Sequence, residues 1–267
     1  MTDSGRASRW TLRYIALAYL TGLLLLPIGV ALIKTFDDGI GEVFTQITKP
    51  DAIHAFKMTM LTVIIAVPLN TVFGVACAHL LVRSNIRLKW LIGAVVDMPF
   101  AVSPVVIGLA LILVYGTGGW FGADLAEVGI QVIFSTPGIV MAVIFVSLPF
   151  VAREVIPVLQ EIGTDQEAAA ETLGASAWQT FRKITLPAIR WGVSYGIVLT
   201  TARSLGEFGA VTVVSGNITG ETQTLPLYVS QQFELFNSVG AYSASLILAI
   251  LALGTLLAMN LMRRGED

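Results

Sequence analysis

The side chains with the greatest capacity for chemistry are few in this sequence and lie far apart. Cys77 is the single cysteine and His54 and His79 are the two histidines, so neither an intrachain disulfide nor a cluster of metal ligands is expected. No Gly-Lys dipeptide occurs, which excludes a nucleotide-binding loop of the form G-x-x-x-x-G-K-S/T. Ser103 with His79 is the one pair to consider for nucleophilic catalysis, but Val-Ser-Pro lacks the glycines of a nucleophile elbow. The sequence therefore predicts no catalytic residue, metal or cofactor.

Charged side chains inside apolar stretches are the remaining candidates. Arg203 and Glu207 are four positions apart, hence on one helical face, where they can neutralise each other. Ionisable residues within a membrane usually face the bundle interior or an aqueous path. Two interpretations stay open for this pair: an ion pair that fixes helix packing, and a role in a path for a polar solute. Asp97 belongs to the same class, and Asp97 and Glu207 would be the relay groups of an ion-coupled secondary transporter.

The elements that must position these residues are membrane-spanning helices. The chain has 267 residues, of which 55% are apolar and 13% charged, whereas about a quarter of residues are charged in soluble domains. The fold class predicted is therefore an all-α polytopic membrane protein. Apolar runs predict six spans between a polar segment 1–13 and a short tail 263–267, at 14–33, 58–82, 90–115, 132–149 or slightly beyond, 191–214 and 241–262.

Lysine and arginine residues are divided unequally between the two sides that six alternating spans define. Twelve of the sixteen fall on the side of both termini, and three fall on the other side, Lys34, Lys49 and Lys57, while Arg203 lies within the fifth span. Short loops rich in Lys and Arg remain in the cytoplasm. Both termini and the loop between spans four and five are therefore predicted to be cytoplasmic.

That loop begins with a predicted short helix. Thr164 and Glu167 have the Ser/Thr-x-x-Glu spacing of a capping box, in which hydroxyl and carboxylate exchange hydrogen bonds with free amide groups. Gly174 can end this helix, because glycine adopts the left-handed conformation without steric cost. The pattern predicts a first helix over about 165–173.

A second short helix is predicted after Gly174. Ser176 and Gln179 offer another capping box, and the helix is expected to run to about Thr185, where Pro187 would stop it. Two helices of roughly nine residues are too short to cross a bilayer and too short to be stable alone. The hairpin is either a connector between spans or a docking element for a partner.

The loop 164–187 resembles the EAA loop of the permeases of binding-protein-dependent ABC importers, written EAA-x3-G-x9-I-x-L-P. One departure is that Ala168 occupies the usual glutamate position, and Glu167 lies one place earlier. In this family the loop is a cytoplasmic coupling hairpin that sits in a groove of the ATPase. The resemblance implies ATPase-coupling roles for Glu167, Ala169, Ala170, Leu173, Gly174, Ile184, Leu186 and Pro187.

Two segments within the spans narrow the resemblance to sulfate and molybdate permeases. Residues 97–108, DMPFAVSPVVIG, are similar to the third-span signature of that group, and their first ten letters are most similar to the W-type permeases of sulfate/thiosulfate importers. Residues 203–210, RSLGEFGA, resemble an R-x-LGEFGA segment of the same group. The resemblance covers nearly the whole chain. It makes candidates for the translocation pathway or for helix packing of Asp97, Ser103, Pro104, Arg203 and Glu207.

The resemblance implies a type I ABC importer permease fold in a bacterial cytoplasmic membrane, spanning residues 14–262. It also implies a complex with a dimer of ATPase subunits, a second permease of the T type and an extracytoplasmic sulfate-binding protein. Lipid is the remaining partner expected, and nucleic acid is not. A permease for molybdate, tungstate or another oxyanion is the alternative, and an ion-coupled secondary transporter is a further one.

Overall fold

The computed structural model describes residues 4–264, and their regular structure is helical. The polar ends predicted at 1–13 and 263–267 therefore lie partly outside the described residues. The α-helices, numbered in chain order from α1 to α16, are Ser4–Leu20, Leu26–Phe36, Ile40–Ile47, Pro50–Arg83, Lys89–Ala101, Pro104–Tyr115, Gly122–Glu127, Thr136–Ser147, Pro149–Glu161, Asp165–Thr172, Ala177–Thr180, Leu186–Ala188, Arg190–Leu205, Gly209–Ser215, Leu225–Glu234 and Ser238–Arg264. Two π-helical segments, Thr21–Leu25 and Phe181–Thr185, join α1 to α2 and α11 to α12.

Several helices have the length and apolar composition that a membrane crossing needs. Among residues 4–264 these are Trp10–Phe36, Pro50–Arg83, Thr136–Glu161 and Ser238–Asn260, together with two bent pairs that bring the number to six if each pair is one span. The predicted fourth span extends well past Pro149, because that proline lies at the first position of α9, where its missing N–H is harmless.

The third predicted span, 90–115, is not one helix. Its two halves, α5 and α6, meet at 113°. Ser103 precedes Pro104 and takes φ −59° and ψ 136°, and Val102 is also extended. A residue before proline is driven out of the helical region, so the break follows from Pro104.

The fifth predicted span, 191–214, is also divided. Helix α13 ends at Leu205 and α14 begins at Gly209, with 54° between them. Glu207 therefore lies in the break, not on a helical face shared with Arg203. The prediction of one continuous fifth helix is wrong at this point.

Prolines at other positions are accommodated within helices. Pro68 lies inside the unbroken helix α4. Pro27 and Pro187 each follow a π-helical segment. A proline ring crowds the carbonyl four residues earlier, and in both cases that carbonyl lies within the π-helical turn.

Helices α4, α9 and α13 pack closely because glycines line their contact. A Cβ on Gly74 would lie 2.6 Å from Val151 Cβ, and one on Gly196 would lie 2.7 Å from Val151 Cα. Small residues bring membrane helices into backbone contact. The buried side chains around this contact, Val75, Ala78, Val155, Leu159 and Ile189, form the core directly beneath the hairpin.

Candidate functional site

The first arm of the hairpin is α10, and it ends, as predicted, at a glycine in the left-handed conformation. Gly174 has φ +83°. Its N–H donates to Glu171 O at 2.9 Å, and the N–H of Ala175 donates to Ala170 O at 3.0 Å. These two bonds form a Schellman motif, which satisfies carbonyls left free at a helix end. The predicted need for a positive φ at Gly174 is confirmed.

The second arm begins as predicted. The Ser176 N–H donates to Gln179 Oε1 at 2.9 Å, and the Gln179 N–H donates to Ser176 Oγ at 3.4 Å. This is the expected capping box. The arm does not stop at Pro187, however. It continues as α12, and only Ile189, with φ −90° and ψ 3°, separates α12 from α13.

The capping box predicted at Thr164 is wrong. The Thr164 side chain makes no capping hydrogen bond. The Glu167 carboxylate instead pairs with Arg83, with Nε and Oε2 2.8 Å apart, and accepts a hydrogen bond from Thr185 Oγ1 at 2.7 Å. A cation outcompetes a helix-end amide here, because the attraction between two opposite charges 2.8 Å apart is strong where solvent screens it little.

The outer surface of the hairpin is exposed along its length. No residue of α10 is buried, and Leu173 is 88% exposed at the tip. Trp178 and Leu186 on the second arm are exposed as well. Of the predicted coupling residues, Ala169, Gly174 and Pro187 are exposed, Ala170 and Ile184 are half-buried, and Glu167 turns inward. An exposed surface bearing leucine and tryptophan is chemically suited to a protein partner.

Arg203 and Glu207 form the predicted ion pair across the break between α13 and α14. Arg203 Nη1 is 2.6 Å from Glu207 Oε2, and the two side chains are 32% and 1% exposed. Glu207 Oε1 also accepts from the N–H of Ala210 at 2.8 Å, at the start of α14. The carboxylate is therefore held by a cation on α13 and by a backbone amide in the first turn of α14.

The two helix breaks meet in space. A Cβ on Gly209 would lie 3.1 Å from Pro104 Cβ, and one on Gly108 would lie 2.9 Å from Ala210 O. The structure therefore brings Pro104 to the same crossing as the segment that carries Glu207. Ser103 is exposed beside this crossing and makes no capping hydrogen bond.

Asp97 is not part of that crossing pair. Its carboxylate makes a two-point contact with the Arg153 guanidinium. Nε donates a hydrogen bond to Oδ1 at 2.6 Å, and Nη2 forms an ion pair with Oδ2. Arg153 is on α9 and joins it to α5. Asp97 and Glu207, the relay groups that a secondary transporter would need, are thus each engaged by an arginine.

Two residues that hold other parts of the structure in place are not among the site residues predicted from the sequence. The sequence predicts for Arg83 only a contribution to the positive charge of a cytoplasmic loop, whereas in the structure it holds Glu167. Asn70, a polar residue within the second apolar run, is fully buried and donates to Ser147 Oγ at 2.8 Å and to Ile144 O at 3.1 Å. The position of Asn70 inside a span was a signal in the sequence, since buried amides require partners.

Comparison with known proteins gives consistent matches. Residues 70–264 match the family model described as the inner membrane component of binding-protein-dependent transport systems. Among curated relatives, the sulfate transport system permease protein CysW of Synechococcus elongatus is 47% identical over 93% of this chain and 87% of its own. The protein of the same name in Escherichia coli K12 is 43% identical over 96% of this chain and 88% of its own. The permease protein CysT of Escherichia coli K12 is 37% identical, covering 88% and 85%.

Solved structures support the fold alone, because their identities are low. A bacterial alginate ABC transporter, crystallised with an alginate pentasaccharide-bound periplasmic protein, has a chain with a TM-score of 0.82 at 18% identity, covering 98% of this chain and 96% of that one. The MetNI methionine ABC transporter in an inward-facing conformation gives a TM-score of 0.59 at 19% identity, covering 80% and 95%.

Proposed function

The chain belongs to the family of inner membrane components of binding-protein-dependent transport systems, and we propose that it is the permease subunit of an ABC importer for sulfate and thiosulfate. The observation that carries this proposal is 47% identity over 93% of the chain to a protein named as a sulfate transport system permease. The chain itself forms one half of the translocation path.

The proposed complex contains two ATPase subunits, a second permease of the T type and an external sulfate-binding protein. The absence of a nucleotide-binding loop from the sequence requires a separate ATPase. The exposed tip of the hairpin, with Leu173 at 88% exposure, offers the surface on which that ATPase docks. The distant likeness between the T-type relative and this chain fits a pair of similar permeases around one path.

The proposed topology has six spans, with both termini and the hairpin in the cytoplasm of a bacterial cell. Each bent pair, α5 with α6 and α13 with α14, counts as one span. Twelve of the sixteen Lys and Arg residues then lie on the cytoplasmic side. An ATPase that consumes cytoplasmic ATP can reach the hairpin only in this orientation.

The crossing of the broken helices is the proposed point of contact with the anion. Arg203 is about a third exposed, whereas its counter-charge Glu207 is buried. A guanidinium so placed lowers the cost of a dianion in a medium of low dielectric constant, and Glu207 keeps it from holding the anion too tightly. Asp97 and Ser103 remain candidates for packing or for the path.

The test is sulfate uptake in a bacterial host that lacks its own W-type permease but retains the ATPase, the T-type permease and the binding protein. Expression of this chain should restore uptake of labelled sulfate, and unlabelled thiosulfate should compete. Competition by molybdate or tungstate alone would move the assignment to those oxyanions. Uptake that survives an inactive ATPase but is abolished by a protonophore would refute an ABC importer and favour an ion-coupled carrier.

A further inference from the structure

Arg83, in the last turn of α4, is at the meeting point of four segments. Its Nη1 donates to Leu159 O at 3.0 Å and its Nη2 donates to Gly163 O at 2.5 Å, while Nε pairs with Glu167. Leu159 lies in the final turn of α9, and Gly163, at φ +64°, turns the chain toward α10. One guanidinium therefore holds the ends of α4 and α9, the turn between α9 and α10, and the first arm of the hairpin.

The contact also reaches the second arm. Glu167 Oε1 accepts a hydrogen bond from Thr185 Oγ1 at 2.7 Å, and Thr185, at the end of the π-helical segment, is 1% exposed. We call the three side chains Arg83, Glu167 and Thr185 the clamp. Through the clamp both arms of the hairpin are fixed to the end of α4.

The clamp lies largely out of water. The Arg83 and Glu167 side chains are 12% and 14% exposed, so solvent screens their attraction far less than that of a surface pair. Its geometry also requires arginine, since a lysine ammonium is a single point charge and cannot span two carbonyls and a carboxylate in a fixed fork.

We infer that Arg83 is a positioning residue for energy coupling, which sets the hairpin rigidly on the helix bundle through Glu167 and Thr185. This inference rests on the proposed function, in which the hairpin receives movement from an ATPase. Glu167, one place before the usual glutamate position, faces inward to Arg83 and is not the group that contacts the ATPase. A hairpin released from the clamp would move with the ATPase without moving α4 and α9.

The experiment uses the complete complex in proteoliposomes and measures sulfate transported per ATP hydrolysed, at equal amounts of assembled complex. Arg83→Lys retains the positive charge but loses the planar guanidinium that contacts two carbonyls and a carboxylate at once. Glu167→Gln retains the acceptor for Thr185 and loses the charge. Both variants should lower the ratio on the order of tenfold, within the usual range of coupling between sites. Their combination should lower it no further, because both remove the same contact.

Glu161→Gln is the matched control, because Glu161 is an exposed glutamate at the end of α9, outside the hairpin. It should leave the ratio unchanged. If Glu167→Gln assembles poorly, Glu167→Asp keeps the charge on a shorter side chain and should also lower the ratio. Variants that lose assembled complex or thermal stability but keep the wild-type ratio would overturn the inference, as would additive effects in the double variant.

The same measurements separate this inference from the proposed function. If the wild-type complex hydrolyses ATP but moves no sulfate, the proposed substrate is wrong, and the variants are then compared by molybdate transported per ATP. If the wild-type complex transports sulfate and the clamp variants couple normally, the proposed function stands and the role of Arg83 is refuted.

Discussion

Substituting Arg203 by methionine would leave the Glu207 carboxylate without its cation. That side chain is 1% exposed, and its remaining hydrogen bond comes from the N–H of Ala210 at 2.8 Å. Removing one partner of a buried ion pair costs about 3–5 kcal/mol, because the other charge stays buried and uncompensated. We place Arg203→Met at about 3 kcal/mol, since the Ala210 amide and the N-terminus of α14 still stabilise the anion.

The reciprocal change, Glu207→Gln, should cost less. The amide oxygen of glutamine can still accept from Ala210, and Arg203, at 32% exposure, is not enclosed by this chain. Removing the ion pair in this way should lower the stability by about 1 kcal/mol, as for a partly exposed pair. The pair therefore predicts an asymmetry of roughly 2 kcal/mol between the two single variants, and a double variant that is more stable than Arg203→Met alone.

The assay scores the thermal stability of the assembled complex and sulfate uptake separately. Arg87→Met, which removes an exposed arginine from the loop between α4 and α5, is the control. Equal stability of Arg203→Met and Glu207→Gln, or a double variant no better than Arg203→Met, would refute the assignment of buried and exposed partners. A stable double variant with full uptake would eliminate the role of Arg203 in the path and leave packing alone.

Three further predictions concern the hairpin and the helix bundle. A cysteine at Leu173 should be labelled only from the cytoplasm and one at Phe236, which is 93% exposed, only from outside; labelling of position 173 from outside would refute the topology. Gly174→Val should cost about 1 kcal/mol or more and lower the coupling ratio through φ alone, since nothing lies within 4 Å of its Cβ position. Gly174→Asn should be milder, because asparagine tolerates this conformation, and equal uptake by Gly174→Val would contradict the argument. Gly74→Ala should destabilise the bundle by about 1–3 kcal/mol, as measured by thermal stability, because its Cβ would lie 2.6 Å from Val151 Cβ; unchanged stability would refute this close contact.

Features governed by neighbours in sequence were predictable. The positive φ at Gly174 and the capping box at Ser176 each depend on a few adjacent residues, and both are present. The Arg203–Glu207 pair was also predicted from a spacing of four residues. The helix break around this pair was not predicted. Helix α13 ends at Leu205 and leaves Glu207 in the break, and the hydropathy of the sequence gives no sign of that end.

Features governed by distant partners were not predictable from local pattern. The Thr164 capping box failed because Glu167 meets Arg83 on another helix, and no local rule weighs that competition. Asp97 likewise meets Arg153 across two helices. The 113° bend at Pro104 was predictable as a kink but not in size, because the size depends on how α6 packs against α14.

The course of the second hairpin arm explains how the hairpin and the crossing of broken helices can be linked. From Ala177 to Leu205 the chain is helical except at Ile189, whose φ of −90° and ψ of 3° interrupt it between α12 and α13. Because the π-helical turn accommodates Pro187, this proline joins the arm to α13 and does not sever it. A shift of the hairpin would therefore reach Arg203 through the single buried junction residue Ile189 and then along α13. Helix α13 ends at the break that holds Glu207, beside Pro104, so under the proposed function we expect a movement of the hairpin to alter the chain at this crossing.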